Sequence, residues 1–171
     1  MLAILAVAVG AVVLFAVMRQ GGREVKIIRE GDRAPEFRLA TLEGNQTSLS
    51  DFRGKVVMVH FWATWCPPCI EEMPGIERLS RSFADKDFEL LAVSVDEGGA
   101  AAVSSFLKRN KLSLPVLLDP GAIVSHSYGT FKFPETYILD RSGVVRYKMI
   151  GPGDWTVPEN INAIRVLIDH Q

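Results

Sequence analysis

Both cysteines of this chain fall within one pentapeptide, Trp65-Cys66-Pro67-Pro68-Cys69, and that spacing limits what the pair can be. A disulfide within one chain must join Cys66 to Cys69. It would close a loop too short to staple a fold, because the stabilisation from a crosslink grows with loop length. The flanking residues place the pair at a junction. Val56-Val57-Met58-Val59-His60-Phe61-Trp62 is a nearly unbroken apolar run, the mark of a strand buried on both faces. Behind the pair, Ile70, Met73, Ile76, Leu79 and Phe83 recur at helical spacing. Pro67 and Pro68 suit a first helical turn, where missing N–H groups cost little, and Pro74 predicts a kink one turn later. A Cys-x-x-Cys where a strand runs into a helix tunes a thiol for exchange. Cys66, at the positive end of the helix dipole, is the expected nucleophile, and Cys69, about one turn in, is its more buried resolving partner.

At 171 residues the chain is one domain plus a short appendage. A net charge of −1, with no basic block beyond the N-terminal flank, gives nucleic-acid binding no electrostatic support. A closed zinc site needs four ligands, and only His60, His126 and His170 could supplement the cysteines, so no metal is expected. No nicotinamide or flavin motif is present, so the redox-active disulfide is the expected active group, with no other cofactor. Leu2 to Met18 is apolar and uncharged, about seventeen residues, at the short end of what spans a bilayer. No Lys or Arg precedes it, and Ala16-Val17-Met18-Arg19 is a poor cleavage site, which favours an uncleaved anchor over a signal peptide. The expected organisation is an anchor over 1–18, a polar juxtamembrane linker over 19–30 and a folded domain over 31–171.

The rest of the chain reads as alternating strands and helices. Phe37-Arg38-Leu39 and Gln46-Thr47-Ser48 flank a Gly turn as a hairpin, and Ser50 to Gly54 reads as a short helical turn. Phe88 to Val95 is a second buried strand, parallel to the first. Gly99 to Asn110 is a helix within an inserted stretch, Leu114 to Asp119 a short strand and Ile123 to Tyr128 a short helix. Thr136–Leu139 and Val144–Met149 form a hairpin around Asp140-Arg141-Ser142-Gly143, and Pro158 to His170 closes the chain as an amphipathic helix. That order predicts an α/β fold, a mixed central sheet with helices on both faces.

Phe61-Trp62-Ala63-Thr64-Trp65-Cys66-Pro67-Pro68-Cys69, followed by Glu72-Met73-Pro74, resembles the TlpA/ResA group of thioredoxin-like proteins. Gly31 to Phe37 is similar to their domain-opening segment, and Phe133-Pro134-Glu135-Thr136-Tyr137 to their cis-proline loop, with Lys132 where relatives often carry glycine. The resemblance implies a thioredoxin fold with an N-terminal β-hairpin and a central insertion. It implies a membrane-anchored thiol–disulfide oxidoreductase on the extracytoplasmic side of a bacterial cytoplasmic membrane. Such a protein reduces client-protein disulfides and draws electrons from a membrane thiol shuttle. The Pro134-Glu135-Thr136 tripeptide is similar to the branch acting on apocytochrome c or its maturation partners. On the same basis Trp65, Pro67, Pro68, Phe133 and Pro134 form the docking surface. Glu72, on the helical face of Cys69, and Glu97, ending a central strand, are the expected acidic groups that move protons or tune the thiols. His60 stands where ordinary thioredoxins carry a buried aspartate that handles protons.

Each reading has a plainer competitor: a solvated glutamate, a core histidine bonded to a neighbour, a turn proline. Trp62 reads as core, and neither Trp155 nor Tyr128 suggests any chemistry. For the whole chain the alternatives are a non-catalytic client-binding module, a disulfide-forming oxidase, and a peroxiredoxin-like peroxidase. The peroxidatic Pro-x-x-x-Thr-x-x-Cys pattern is not met, because Thr64 stands two residues before Cys66. Arg19, Arg23, Lys26, Arg29 and Arg33 all follow the apolar span, which by charge alone would keep the domain in the cytoplasm. The family resemblance points the other way, and a reversible cysteine pair suits a compartment where disulfides persist.

Overall fold

The computed structural model describes residues 26–169, so the anchor expected over 1–18 and most of the expected linker lie outside the described residues. Among the described residues no helix is long and apolar enough to cross a membrane. The elements run β1 (Arg38–Thr41), β2 (Gln46–Ser48), a 3-10 turn (Leu49–Phe52), β3 (Val56–Trp62) and α1 (Pro67–Ser82). There follow β4 (Phe88–Ser94), α2 (Gly99–Asn110), β5 (Val116–Leu118), α3 (Ile123–Ser127), β6 (Glu135–Leu139), β7 (Val145–Ile150) and α4 (Pro158–Asp169).

The seven strands form one sheet in the order β2-β1-β5-β4-β3-β6-β7. β3 lies inside it, parallel to β4 with Val56 opposite Phe88 and Trp62 opposite Ser94, and antiparallel to β6 with Phe61 opposite Glu135. All of β3 is buried, which is why its sequence is continuously apolar instead of alternating. Its side chains still sort onto two faces. Val56, Met58 and Trp62 pack with Met73 and Ile76 of α1, Phe106 of α2 and Ile164 of α4. Val57, Val59 and Phe61 pack with Val124 of α3, Tyr128, Phe37 and Leu49. Helices therefore cover both faces of a thioredoxin fold, with the N-terminal hairpin joined to the sheet through β1 and β5 and with α2 inserted between β4 and β5.

One local expectation shifts. The β5 strand is shorter than Leu114–Asp119, because Pro115 has no N–H for the ladder and joins it only through its carbonyl, which accepts from Ala92 N. Helix α1 continues through Pro74 to Ser82.

The segment just before Gly31 is packed on the folded domain. Ile28 is 2% exposed, and its N–H donates to the Tyr128 carbonyl at 3.0 Å. Lys148 clasps the same segment, with Nζ donating to the Ile28 carbonyl at 3.0 Å and its backbone N–H to Glu30 Oε1 at 3.1 Å. Gly129, at φ 72°, permits the approach, since a Cβ there would stand 2.7 Å from Ile27 Cα. Residues 26–30 are polar by composition but anchored by one apolar side chain. Ile28→Ala is expected to cost about 2–4 kcal/mol in urea unfolding, the usual range for a buried isoleucine. A loss below about 0.5 kcal/mol, typical of a surface site, would return the segment to a linker.

Candidate active site

The end of β3 delivers the cysteine pair to the start of α1. Cys66 is the N-cap of α1, with Pro67 and Pro68 in the first turn, and its sulfur accepts from the Cys69 N–H at 3.3 Å. Both sulfurs are joined as a disulfide across a Cα–Cα distance of 5.3 Å. Cys66 is 4% exposed and Cys69 fully buried, so an incoming nucleophile or client meets Cys66 first. Once reduced, Cys66 keeps the Cys69 N–H and the positive end of the α1 dipole beside it, and both favour its thiolate.

The residues expected to form a docking surface stand near the pair. The Phe133–Pro134 peptide bond is cis. Phe133 meets Trp65 edge-on, with ring centroids 6.1 Å apart, and Trp65 is 63% exposed, an apolar plate open to a partner. Pro67 is exposed and Pro68 half-buried at the helix start. The loop before Cys66 is clamped from below by a residue the sequence reading passed over. Asp96 is buried, and its carboxylate accepts from Thr64 N at 3.0 Å, Thr64 Oγ1 at 2.5 Å and Ser94 Oγ at 2.7 Å. Its neighbour Glu97 is exposed, so the acidic group the fold brings beneath this loop is Asp96 and not Glu97. The cue is local: at the end of β4, Ser94 and Asp96 hydrogen-bond each other two residues apart, which holds Asp96 in the interior.

Glu72 lies one turn beyond Cys69 on the same helical face, and the structure places it in the interior, where a surface glutamate would be the commoner outcome. Its Oε2 accepts from Gly153 N at 2.8 Å and from Trp155 Nε1 at 2.9 Å. Trp155 thus gains a role invisible in sequence, because it arrives from the loop between β7 and α4. Gly153 packs closely here: a Cβ would stand 3.3 Å from the Trp155 ring and would displace the flexible Met149 side chain. Burial pushes the Glu72 pKa up to about 7 against the opposing pull of these two N–H donors. Opposite it on β3, His60 is fully buried, its Nδ1 2.9 Å from Thr136 Oγ1 on β6. Burial lowers its pKa to about 3, so the imidazole is neutral and its 3.7 Å approach to Glu72 is not an ion pair. A groove of about 450 Å³, lined by Pro68, Glu71, Arg78, Gly153, Asp154 and Trp155, opens beside Glu72 and connects it to solvent. Tyr128 is core, its hydroxyl donating to the Pro35 carbonyl at 3.0 Å. Among the described residues no group of three or more His, Cys, Asp or Glu side chains gathers to hold a metal ion.

These two buried groups oppose each other in pH. From about 4.5 to 7 the folded chain keeps a proton on Glu72 that the unfolded chain has lost, so stability falls as pH rises through that window. From about 3 to 6.5 the unfolded chain takes a proton on His60 that the folded chain refuses, so stability rises with pH there. Glu72→Gln keeps the acceptor for Gly153 and Trp155 and removes only the first effect. The oxidised variant is expected to match the parent near pH 4 and exceed it by on the order of 2 kcal/mol near pH 8, allowing for solvent access through the groove. A stability difference that does not change with pH would show that Glu72 titrates as an ordinary carboxyl.

The comparisons agree with this geometry. The Redoxin family model matches residues 29–165. Thioredoxin-like protein YneN of Bacillus subtilis (strain 168) is 41% identical over 128 residues, 72% of this chain and 73% of that protein. Thiol-disulfide oxidoreductase ResA of Bacillus thuringiensis subsp. konkukian (strain 97-27) is 37% identical over 121 residues, 71% of this chain and 69% of that protein. Among solved structures, the thioredoxin domain of a thiol-disulfide oxidoreductase from Bacteroides vulgatus superposes with a TM-score of 0.72 at 27% identity, over 83% of this chain and 99% of that one. StoA from Bacillus subtilis gives a TM-score of 0.63 at 27% identity, over 71% of this chain and 92% of that one. With its paired cysteines at the strand-to-helix junction, the chain belongs to the Redoxin family and is a thiol–disulfide oxidoreductase of the ResA-like kind.

Proposed function

We propose that this oxidoreductase works as a reductant of client-protein disulfides on the outer side of a bacterial cytoplasmic membrane, held there by the apolar segment over 1–18. The observation that carries the exchange chemistry is the buried Glu72 carboxyl one turn beyond Cys69, with a pKa near 7 and an outlet to solvent. A reductant must deprotonate its resolving thiol at neutral pH, and a carboxyl half-ionised there is matched to that proton transfer. The cycle begins with the Cys66 thiolate attacking a client disulfide. One client sulfur leaves as thiolate and the other is held to Cys66 as a mixed disulfide. Cys69 then attacks Cys66, the second client sulfur leaves, and the Cys66–Cys69 bond is restored. Two electrons pass from the pair to the client, and a membrane thiol shuttle resupplies them.

Trp65, Phe133 and the start of α1 form the surface on which the client strand lies, with the Phe133 backbone before Pro134 as its pairing edge. Apocytochrome c or its maturation partners are the proposed clients, on the strength of the Pro134-Glu135-Thr136 loop. The N-terminal basic residues and the proposed orientation pull in opposite directions, so topology is tested directly.

Cys69→Ser is expected to accumulate a client joined through Cys66, visible as a reducible adduct whose mass identifies the client. Capture through Cys69 in Cys66→Ser instead would reverse the two roles. The reduction potential is expected toward the reducing end of the range from about −270 to −120 mV spanned by such proteins. A value near the oxidising end would make the protein a disulfide donor. A reporter fused after Gln171 is expected to be active only outside the cytoplasm, and activity confined to the cytoplasm would refute the proposed topology.

A further inference from the structure

His60 Nε2 and Glu72 Oε1 are both buried, both lack a hydrogen-bond partner, and stand 3.7 Å apart. That gap exceeds the roughly 2.7–3.2 Å of an N···O hydrogen bond, but a small side-chain shift would close it. Leaving two polar atoms of opposite capability unpaired in a core is costly, and the two are each other's remedy. The rest of each side chain is already committed. Glu72 Oε2 takes two N–H donors, from Gly153 and Trp155, so a proton on that oxygen would compete with both. Oε1 is the oxygen left free for protonation. His60 Nδ1 is held by the Thr136 hydroxyl, leaving Nε2 as the nitrogen that faces the carboxyl.

Taking Glu72 as the group that receives the Cys69 proton, as proposed above, we propose that His60 is a positioning residue whose unprotonated Nε2 accepts the hydrogen bond from the protonated Oε1–H. His60 then carries its single proton on Nδ1 and donates it to Thr136 Oγ1. The step balances as follows. Cys69 S–H gives its proton to Glu72 Oε1, and the Cys69 thiolate attacks Cys66 Sγ. The bond from Cys66 Sγ to the client sulfur breaks, and the client leaves with the electron pair as a thiolate. The pair is oxidised and the client reduced. The client thiolate takes a proton from solvent, and Oε1 later releases its own through the groove. By accepting from the protonated carboxyl, His60 favours that form and holds the midpoint of Glu72 higher than burial alone would.

Few other charges reach this point. Cys69 shares the helix with Glu72, and Glu71, Arg78 and Asp154 line the groove. The strand neighbours of His60, Ala92 on β4 and Thr136 on β6, are uncharged, and α4 brings Ile164 to the same apolar cluster.

This inference rests on the reductive cycle for its purpose, but its first test needs no client and no turnover. In the full-length oxidised protein, nitrogen-15 NMR of the His60 ring is expected to show the neutral Nδ1–H tautomer. The Nε2 resonance should move as Glu72 titrates near pH 7, and this movement should vanish in Glu72→Gln. An Nε2–H tautomer, or an Nε2 resonance indifferent to Glu72, would overturn the proposal. His60→Asn keeps a polar group for Thr136 and removes the acceptor for Oε1. It is expected to lower the Glu72 midpoint, and the inflection of the resolution rate against pH, by about one unit. A merely structural histidine would lower the stability of His60→Asn and leave both inflections in place, which would also overturn it. If the NMR result holds while no disulfide substrate is reduced, the proton site stands and the reductive reading fails.

Discussion

Strand β3 is paired along both edges and covered on both faces, and most of the site depends on that immobility. A strand with β4 on one side, β6 on the other and core clusters above and below cannot shift register without moving every side chain to the wrong face. Its far end therefore presents Cys66 to the N-terminus of α1 at a fixed place. Its neighbour β6 brings the Phe133–Pro134 loop to the same end, and the α1-facing side of β3 sets His60 against Glu72. The cysteine pair, the Phe133–Pro134 loop and the buried His60 are all positioned by one element buried on all sides.

The polar groups beneath the disulfide are held on different terms from the apolar core around them. Asp96 is fully satisfied by three donors, Thr64 N, Thr64 Oγ1 and Ser94 Oγ, so it acts as a clamp. Glu72 is satisfied on one oxygen only. Burial then outweighs its two N–H partners and leaves a carboxyl balanced between its charged and neutral forms. A buried carboxylate with donors on both oxygens would stay ionised and could not take a proton near neutrality. The incomplete solvation of Glu72 is thus what leaves it able to hold a proton near neutrality.

Much of this was legible beforehand because it depends on local pattern. Continuous burial marked β3, helical spacing marked α1, and the turn residues around Gly44 and Gly143 marked both hairpins, since each is a short-range demand of backbone geometry. Proximity across the chain was less legible. Glu72 is an unremarkable surface type until Trp155 and Gly153, more than eighty positions later, fold over it. Glu97 and Asp96 are adjacent acids, and only the donors that Thr64 and Ser94 bring together decide which one is buried. Ile28 sits in a stretch whose composition reads as linker, and its burial depends on a contact with Tyr128 a hundred residues away.

The sequence by itself determined the chemistry: two thiols, three positions apart, at the start of a helix that follows a buried strand. That much is local, because helix initiation, strand burial and thiol tuning are set by residues within a few turns of one another. Only the tertiary structure decided the environment that governs protons at the site. Which carboxyl is buried, which of its oxygens is bonded and which histidine nitrogen faces it depend on packing between β3, α1 and the loop after β7. Desolvation is a property of what surrounds a group in space, and no spacing along the chain specifies it.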